Sequence, residues 1–380
     1  MTELYLIRHA QAVGNLYRMM QGHWDGEVTR QGYSQIRALA DRFRSIPLDA
    51  IVSSDLHRAA ATADGIRKHH ANLSIRYDDR LREIDLGPWT ACFFGDLMHE
   101  READLQRFLN DGENWKIDGA ETFAEVRDRA FRCLEEIAEA HEGQTVAVVS
   151  HGITIRCILW KLLDIRLQDT ADLPACRNTA VTTLYYGNGR FHAGEINDAE
   201  HLRSTTAPEG RKIPNLRGER FDPARDPEYY TCCYADAWET AHGNLRGFDP
   251  MLYLERAKKH HAADRNAVLR IFDGEKSAGL IDLDPERGKE EGWGWISLLY
   301  LKEEYRHFGC GPQLLGRALI GYEKQGRSAV RLSVAEQNRG AVAFYEKNGF
   351  VCIEEARNAQ GKILCMERKL GRRETVHGPD

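Results

Sequence analysis

The chain has 380 residues, a formal net charge of −6, 42% hydrophobic and 29% charged residues; that length exceeds what one core usually serves, so about two domains are expected. The acidic balance argues against a surface built to neutralise nucleic-acid phosphates, and no apolar run reaches the roughly 18 residues of a membrane span. Nine scattered cysteines, an odd number with no C-x-x-C pair, argue against a zinc site or a disulfide framework and, with no basic n-region leading an apolar stretch, point to a reducing cytoplasm.

In chain order, "LYLI" reads as a buried strand that runs directly into Arg8-His9. "TRQGYSQIRALADRFR" has apolar residues three and four apart and reads as a helix. "AIVSS" is a second strand, followed by Arg58 at a helix start; "RLREIDLGPW" carries Glu83; "AEVRDRAFRCLEEIAEAH" is another helix. "TVAVVSH" then delivers His151 next to Gly152 and a further helix. Short apolar runs alternating with amphipathic helices predict an α/β domain over residues 1–200 with parallel-type strands.

Pro208, Pro214, Pro223 and Pro227 then fall close together and apolar periodicity disappears, so 201–226 is expected to be a linker. Asp226-Pro227 reads as an N-cap and first helical residue. A second domain over 227–370 begins with two helices, around 228–242 and 249–263, followed by three strands. A glycine-rich turn then leads into a helix, and strand, helix and two last strands complete a mixed α+β sheet, leaving a polar tail at 371–380.

In open α/β sheets ligands sit at the carboxyl ends of the strands. Strands ending in Arg8-His9, Arg58 and His151 would pool two guanidiniums and two imidazoles there. Guanidinium forks suit phosphoryl oxygens, a neutral histidine is a competent nucleophile toward phosphorus, and Glu83 could protonate a leaving oxygen. No metal is needed.

These residues also carry a resemblance. "LIRHAQAVGN", "SSDLHRAAATA", "LREIDLGPW" and "VSHG" resemble the signature segments of the histidine phosphatase superfamily, which includes the cofactor-dependent phosphoglycerate mutases. The resemblance implies a three-layer α/β sandwich, His9 as the phosphorylated nucleophile, Arg8, Arg58 and His151 as phosphoryl-group holders with Asn15 beside them, and Glu83 as proton donor. Ala10 stands where the family usually has glycine, and Thr90-Ala91 where it often has Glu-Gly. The first domain lacks the extra substrate-gripping segments of the mutases, so it is expected to hydrolyse a small phosphorylated metabolite. A phosphoglycerate-type mutase, or an inactive phosphate-sensing domain that regulates its neighbour, are the alternatives.

In the second domain, Arg306-x-x-Gly309-x-Gly311 lies between a strand and a helix, a spacing that lets backbone N–H groups form an oxyanion nest at a helix N-terminus. With "SVAEQNRGAVAFYEKNGF" downstream, the domain resembles the GNAT acetyltransferases. That resemblance implies acetyl-CoA as cosubstrate, bound by Arg306, Gly309, Gly311, Asn338 and Tyr345, with Tyr345 protonating the leaving thiolate and an amine as acceptor. Glu303 or Glu304 could serve as base or be ordinary surface charge, and Tyr229, Tyr230 and Trp238 could line the acceptor site or be core.

Overall fold

A computed structural model describes residues 1–203, 213–358 and 360–371. Residues 204–212 of the expected linker and 372–380 of the expected tail lie outside the described residues. The described chain forms two compact units, one of Met1–Cys92 and 100–203, the other of Phe93–His99 and 213–371.

The first unit is built on six strands: β1 (Thr2–Arg8), β2 (Ala50–Ser53), β3 (Ile75–Tyr77), β4 (Thr145–Ser150), β5 (Val181–Gly187) and β6 (Arg190–Ala193), in the order β3-β2-β4-β1-β5-β6. The first four in that order are parallel; β5 runs antiparallel to β1 and β6 antiparallel to β5. Its helices are α1 (Val13–Tyr17), α2 (Arg30–Phe43), α3 (His57–Arg67), α4 (Phe94–Glu100, most of which belongs to the other unit), α5 (Glu102–Asn110), α6 (Phe123–Ala140) and α7 (Gly152–Leu163).

The period of two along each strand creates the three layers. Leu4, Leu6, Val146 and Val148 pack with Leu134, Ile137, Ile155 and Ile158 of α6 and α7. The alternate residues Ile7, Ala147 and Val149 pack with Leu39, Phe43, Ala59 and Ile66 of α2 and α3 on the opposite face. Sequence-local caps start two of these helices: Thr29 accepts from the Gly32 N–H, and Thr122 with Glu125 forms a reciprocal capping box.

Register decides where the site forms. Arg8 lies opposite Ser150, and Ser53 opposite Val149, so β1, β4 and β2 end level. His9 and Ser54 continue the ladder for one more bond each, to Ser150 O and Val149 O, both at 2.9 Å.

The second unit holds seven strands: β7 (Arg217–Arg220), β8 (Val268–Asp273), β9 (Lys276–Asp284), β10 (Trp293–Leu301), β11 (Ala329–Ala335), β12 (Val351–Asn358) and β13 (Gly361–Lys369). Their order is β12-β13-β11-β10-β9-β8-β7, and only β10 and β11 pair in parallel. Residues 217–220, placed by sequence in the connecting segment, are thus an edge strand, because Arg217–Arg220 pairs with Leu269–Phe272. Helices α8 (Pro227–His242) and α9 (Pro250–Ala263) start with Asp226 and Asp249 as N-caps and prolines in the first turn. They bury Tyr230, Cys233, Leu254 and Ala257 against Val268, Leu280 and Leu298. Helix α10 (Gly311–Lys324) contributes Leu314, Leu315, Ala318 and Tyr322 to the core, and α11 (Arg339–Lys347) follows β11. Phe93–His99 belongs with this unit: Asp96 accepts two bonds from Arg317, at 2.7 and 2.8 Å, and one from the Gly218 N–H.

Candidate active sites

At the level ends of β1, β4 and β2, the His9 and His151 rings lie 5.1 Å apart between centroids. Both are buried, at 1% and 0% exposure. The His9 Nδ1 lies 2.7 Å from the Ala10 carbonyl oxygen. A carbonyl can only accept, so Nδ1 carries the proton and a neutral ring keeps its lone pair on Nε2. Burial, then the Arg58 and Arg8 charges, hold His9 well below the usual histidine range, so the ring is neutral. His151 is held low by burial and by Arg58; its Nε2 shares a 2.8 Å hydrogen bond with Ser54 Oγ, and its Nδ1 is buried without a partner.

The two guanidiniums are fixed from behind. Arg58, fully buried at the start of α3, donates to Trp24 O (3.0 Å), Gly22 O (2.8 Å) and Asp25 Oδ1 (3.3 Å). Burial lowers its pKa against the opposing pull of Asp25 and Glu83. Arg8 donates to Cys176 O. Gly152 allows α7 to start against it, since a Cβ there would sit 3.3 Å from Arg8 Nε. Each arginine keeps a buried Nε–H with no acceptor among the described residues.

Glu83 lies at the N-terminus of α7. It accepts from Ile153 N (3.3 Å), Thr154 N (3.1 Å), Thr154 Oγ1 (3.2 Å) and its neighbour Ile84 N (3.2 Å). Its own carbonyl oxygen accepts from His23 Nε2 and Arg129 Nη2. Asn15 is in α1, where its Oδ1 accepts from Ala12 N (3.0 Å), which leaves its Nδ2 as a donor. The Ala10 methyl is absorbed by packing with Val28 and Ile36. Ala91 takes a left-handed φ of 60°, a conformation that favours glycine.

Ser54, Asp25, Thr154 and Cys176 O join this arrangement without a motif of their own in the sequence. Ser54 was within reach, as the first residue past a strand in "SSDLHR". The others depend on loops that meet only after the sheet has formed.

In the second unit, β10 pairs with β11 only from Trp293↔Ala329 to Ile296↔Leu332, although β10 continues to Leu301. A bulge falls between Ile296 and Leu298, and the two strands part beyond it. The loop after β10 has left-handed His307 (φ 64°) and Gly309 (φ 77°). The N–H groups of both donate to no described residue. Helix α10 follows with no side-chain cap on its N-terminus. The turned N–H groups of His307 and Gly309, just before a helix start, fit a pyrophosphate.

Arg306 does not add to that fit. Its Nε donates to Leu301 O (2.7 Å), Nη1 to Thr240 (3.1 Å) and Nη2 to Asp236 (2.7 Å), so the guanidinium ties α8 to the loop. The close approach at Gly311 is to protein as well: a Cβ would lie 3.0 Å from the Phe344 ring. Asn338 caps α11 through Ala341 N (3.2 Å). The half-buried Tyr345 packs on Phe344 and Phe350, its hydroxyl makes no hydrogen bond to a described residue, and its phenol is pushed up by burial. Glu303 and Glu304 are exposed on a single turn. Tyr230 is core but donates to Asp282 (2.8 Å), while Trp238 and Tyr229 pack among neighbouring rings.

The first unit thus presents two buried imidazoles and two braced guanidiniums at the ends of its parallel strands, and the second a forked sheet with an N–H nest in the loop that follows it. The chain belongs to the histidine phosphatase superfamily (branch 1), which matches residues 4–199, and residues 235–369 match the acetyltransferase (GNAT) domain. Over 207 residues it is 30% identical to the probable phosphoglycerate mutase GpmB of Salmonella choleraesuis (strain SC-B67), spanning 53% of this chain and 95% of that one. The solved structure of Bacillus stearothermophilus YhfR is 30% identical, with a TM-score of 0.52, and covers 53% of this chain and all of its own. Among the described residues no helix is long and apolar enough to cross a membrane.

Proposed function

We propose that the first unit hydrolyses phosphate monoesters through a phosphohistidine, and that the second transfers acetyl from acetyl-CoA to an amine. The observation that carries the first reading is a trio of buried polar groups without partners among the described residues: Arg8 Nε, Arg58 Nε and His151 Nδ1. A buried donor left unpaired costs about 1–3 kcal/mol. Three beside one neutral imidazole are accounted for by a ligand rich in acceptor oxygens, such as a phosphoryl group.

The His9 Nε2 lone pair attacks phosphorus, forming P–N as the ester P–O bond breaks. Charge on the equatorial oxygens is held by Arg8, Arg58 and His151, with the Asn15 amide beside them. Glu83 gives its proton to the leaving oxygen, then takes one from the water that cleaves P–N and releases phosphate. Rapid-quench labelling with a phosphorylated substrate tests this: acid-labile phosphate on His9 is expected, and its absence refutes the scheme. The relative's name keeps a mutase as the second reading, and release of inorganic phosphate, against its return to an isomeric ester, separates the two.

For the second unit, the loop N–H groups of His307 and Gly309 support acetyl-CoA pyrophosphate binding. In this reading Asn338 and Tyr345 serve the thioester end, with the Tyr345 phenol, kept protonated by its burial, as donor to the departing thiolate. Titration of acetyl-CoA into the full chain tests this reading.

A further inference from the structure

The second unit contains a cavity of about 620 Å³ that none of the residues discussed above as acetyl-CoA ligands lines. Its walls are Tyr230, Tyr234, Tyr253 and Trp295, from α8, α9 and β10. Ser297 and Ser333, the first residues beyond the last paired positions of β10 and β11, also line it, so it opens at the fork of the sheet. The N–H nest follows the other end of β10. From Ser297 to Leu301 is about 13 Å of strand.

The charges lining this cavity do not cancel. Its carboxylates are already engaged: Asp282 and Asp284 share the one imidazole of His260, at 2.7 Å from Nδ1 and 3.3 Å from Nε2, and Glu286 pairs with Lys289 at 3.2 Å. Three cations lining the same cavity, Arg256, Lys259 and Arg287, have no ion-pair partner among the described residues. Two of them are spread over its aromatic walls: the Arg287 guanidinium carbon lies 3.3 Å from the Trp295 ring centroid, and that of Arg256 lies 5.7 Å from the Tyr253 centroid. Cations steered onto a cavity wall and left unneutralised suit an anionic ligand group.

Resting on the acetyl-transfer reading, we propose that this cavity is the acceptor pocket and that the acceptor is a small amine bearing an anionic group, carboxylate or phosphoryl, held by Arg256, Lys259 and Arg287. The transfer exchanges the acetyl C–S bond for C–N, and one amine proton ends on the CoA sulfur, so no further reactant is required.

The test is calorimetric titration of the full chain with 2-aminoethylphosphonate, β-alanine and spermidine, each with and without CoA. The phosphonate's C–P bond is not an ester that the first unit could cleave. The phosphonate, the carboxylate or both should bind, and their relative affinities identify the anion; spermidine should not. Arg256→Gln/Arg287→Gln, at two exposed positions, should weaken the anionic amine at least tenfold and leave acetyl-CoA affinity unchanged. Lys259→Gln should act in the same direction. Preference for spermidine, indifference to these substitutions, or a matching loss of acetyl-CoA affinity would each overturn the proposal, the last by giving the cations to the nucleotide. If the wild-type chain fails to bind acetyl-CoA, the acetyl-transfer reading falls, while titration without CoA still decides the cavity's charge preference.

Discussion

Replacing Glu83 by glutamine separates acid catalysis from architecture. The carboxylate receives four hydrogen bonds, three on Oε1 (Ile84 N, Thr154 N, Thr154 Oγ1) and one on Oε2 (Ile153 N, at 3.3 Å). A glutamine can keep its carbonyl on the Oε1 side, so its NH2 must face Ile153 N, donor against donor. One long bond is lost, a local cost of about 1 kcal/mol, and the side chain stays in place. What disappears is the transferable proton, worth roughly a hundredfold to ten-thousandfold in rate. An alkyl phosphate, whose alkoxide cannot leave unprotonated, should suffer that loss in kcat. An aryl phosphate with a good leaving group should suffer much less in forming the phosphohistidine. Burst kinetics on the two ester classes, with a melting curve to show the fold intact, make the comparison. Equal losses for both classes would refute the acid role and leave Glu83 as a brace for the start of α7.

His9→Ala should reduce phosphate release by several orders of magnitude, because covalent catalysis has no substitute nucleophile; near-wild-type turnover would overturn the assignment. Ala91→Gly should stabilise the first unit by about 1 kcal/mol, since it relieves a left-handed alanine, and chemical denaturation reads this directly. Gly309→Val, at φ 77°, should strain the loop by about 1–3 kcal/mol and abolish acetyl-CoA binding in a calorimetric titration, with phosphate release unaffected. Burial alone would lower His260, but its bonds to Asp282 and Asp284 carry it up to about 9. Its contribution, on the order of 3 kcal/mol, is therefore complete below the unfolded histidine value of about 6.5 and is lost as pH rises through 9. Unfolding of the second unit followed from pH 6 to 10 should show that slope, and His260→Asn should remove it.

Much of the first site is legible because Arg8 ends a buried strand, His9 and His151 sit one residue past one, and Arg58 lies at the start of a helix, with Glu83 alone in a loop. Apolar runs such as "LYLI" and "TVAVVS" fix where those strands end, and a parallel sheet brings the ends level. What the sequence does not hold is the support behind them. Cys176 O reaches Arg8 only because β5 lies against β1, and Trp24 O and Gly22 O reach Arg58 across more than thirty positions. Carbonyl acceptors are present in every residue, so no residue type marks the ones that are used. Strand β7 escaped notice for a related reason: "RGER" has no apolar alternation, and an edge strand needs little of it when its backbone pairing with β8 does the work.

In the second site, local sequence offers for anion binding a side chain that the fold already engages. An arginine three residues before a glycine-rich turn reads as an anion ligand while only the local chain is considered. Asp236 lies seventy residues away and takes that guanidinium at 2.7 Å once α8 packs over the loop. A charge already neutralised by a protein carboxylate has little left to offer a diphosphate, so the burden of binding moves to backbone N–H groups, whose availability follows from φ values and from no side chain at all. Three cations without an ion-pair partner among the described residues, Arg256, Lys259 and Arg287, come from a helix and a turn that carry no motif, and their common feature is the cavity wall they share. Arg306→Ala separates the two accounts. If the guanidinium bound pyrophosphate, the substitution would weaken acetyl-CoA directly and in a strongly salt-dependent way. If it only ties α8 to the loop, the substitution takes the cation from Asp236, lowers the melting temperature of the second unit, and weakens acetyl-CoA with little dependence on salt. Titrations at low and high ionic strength, paired with melting curves, choose between them, and the bond to Asp236 predicts the second outcome.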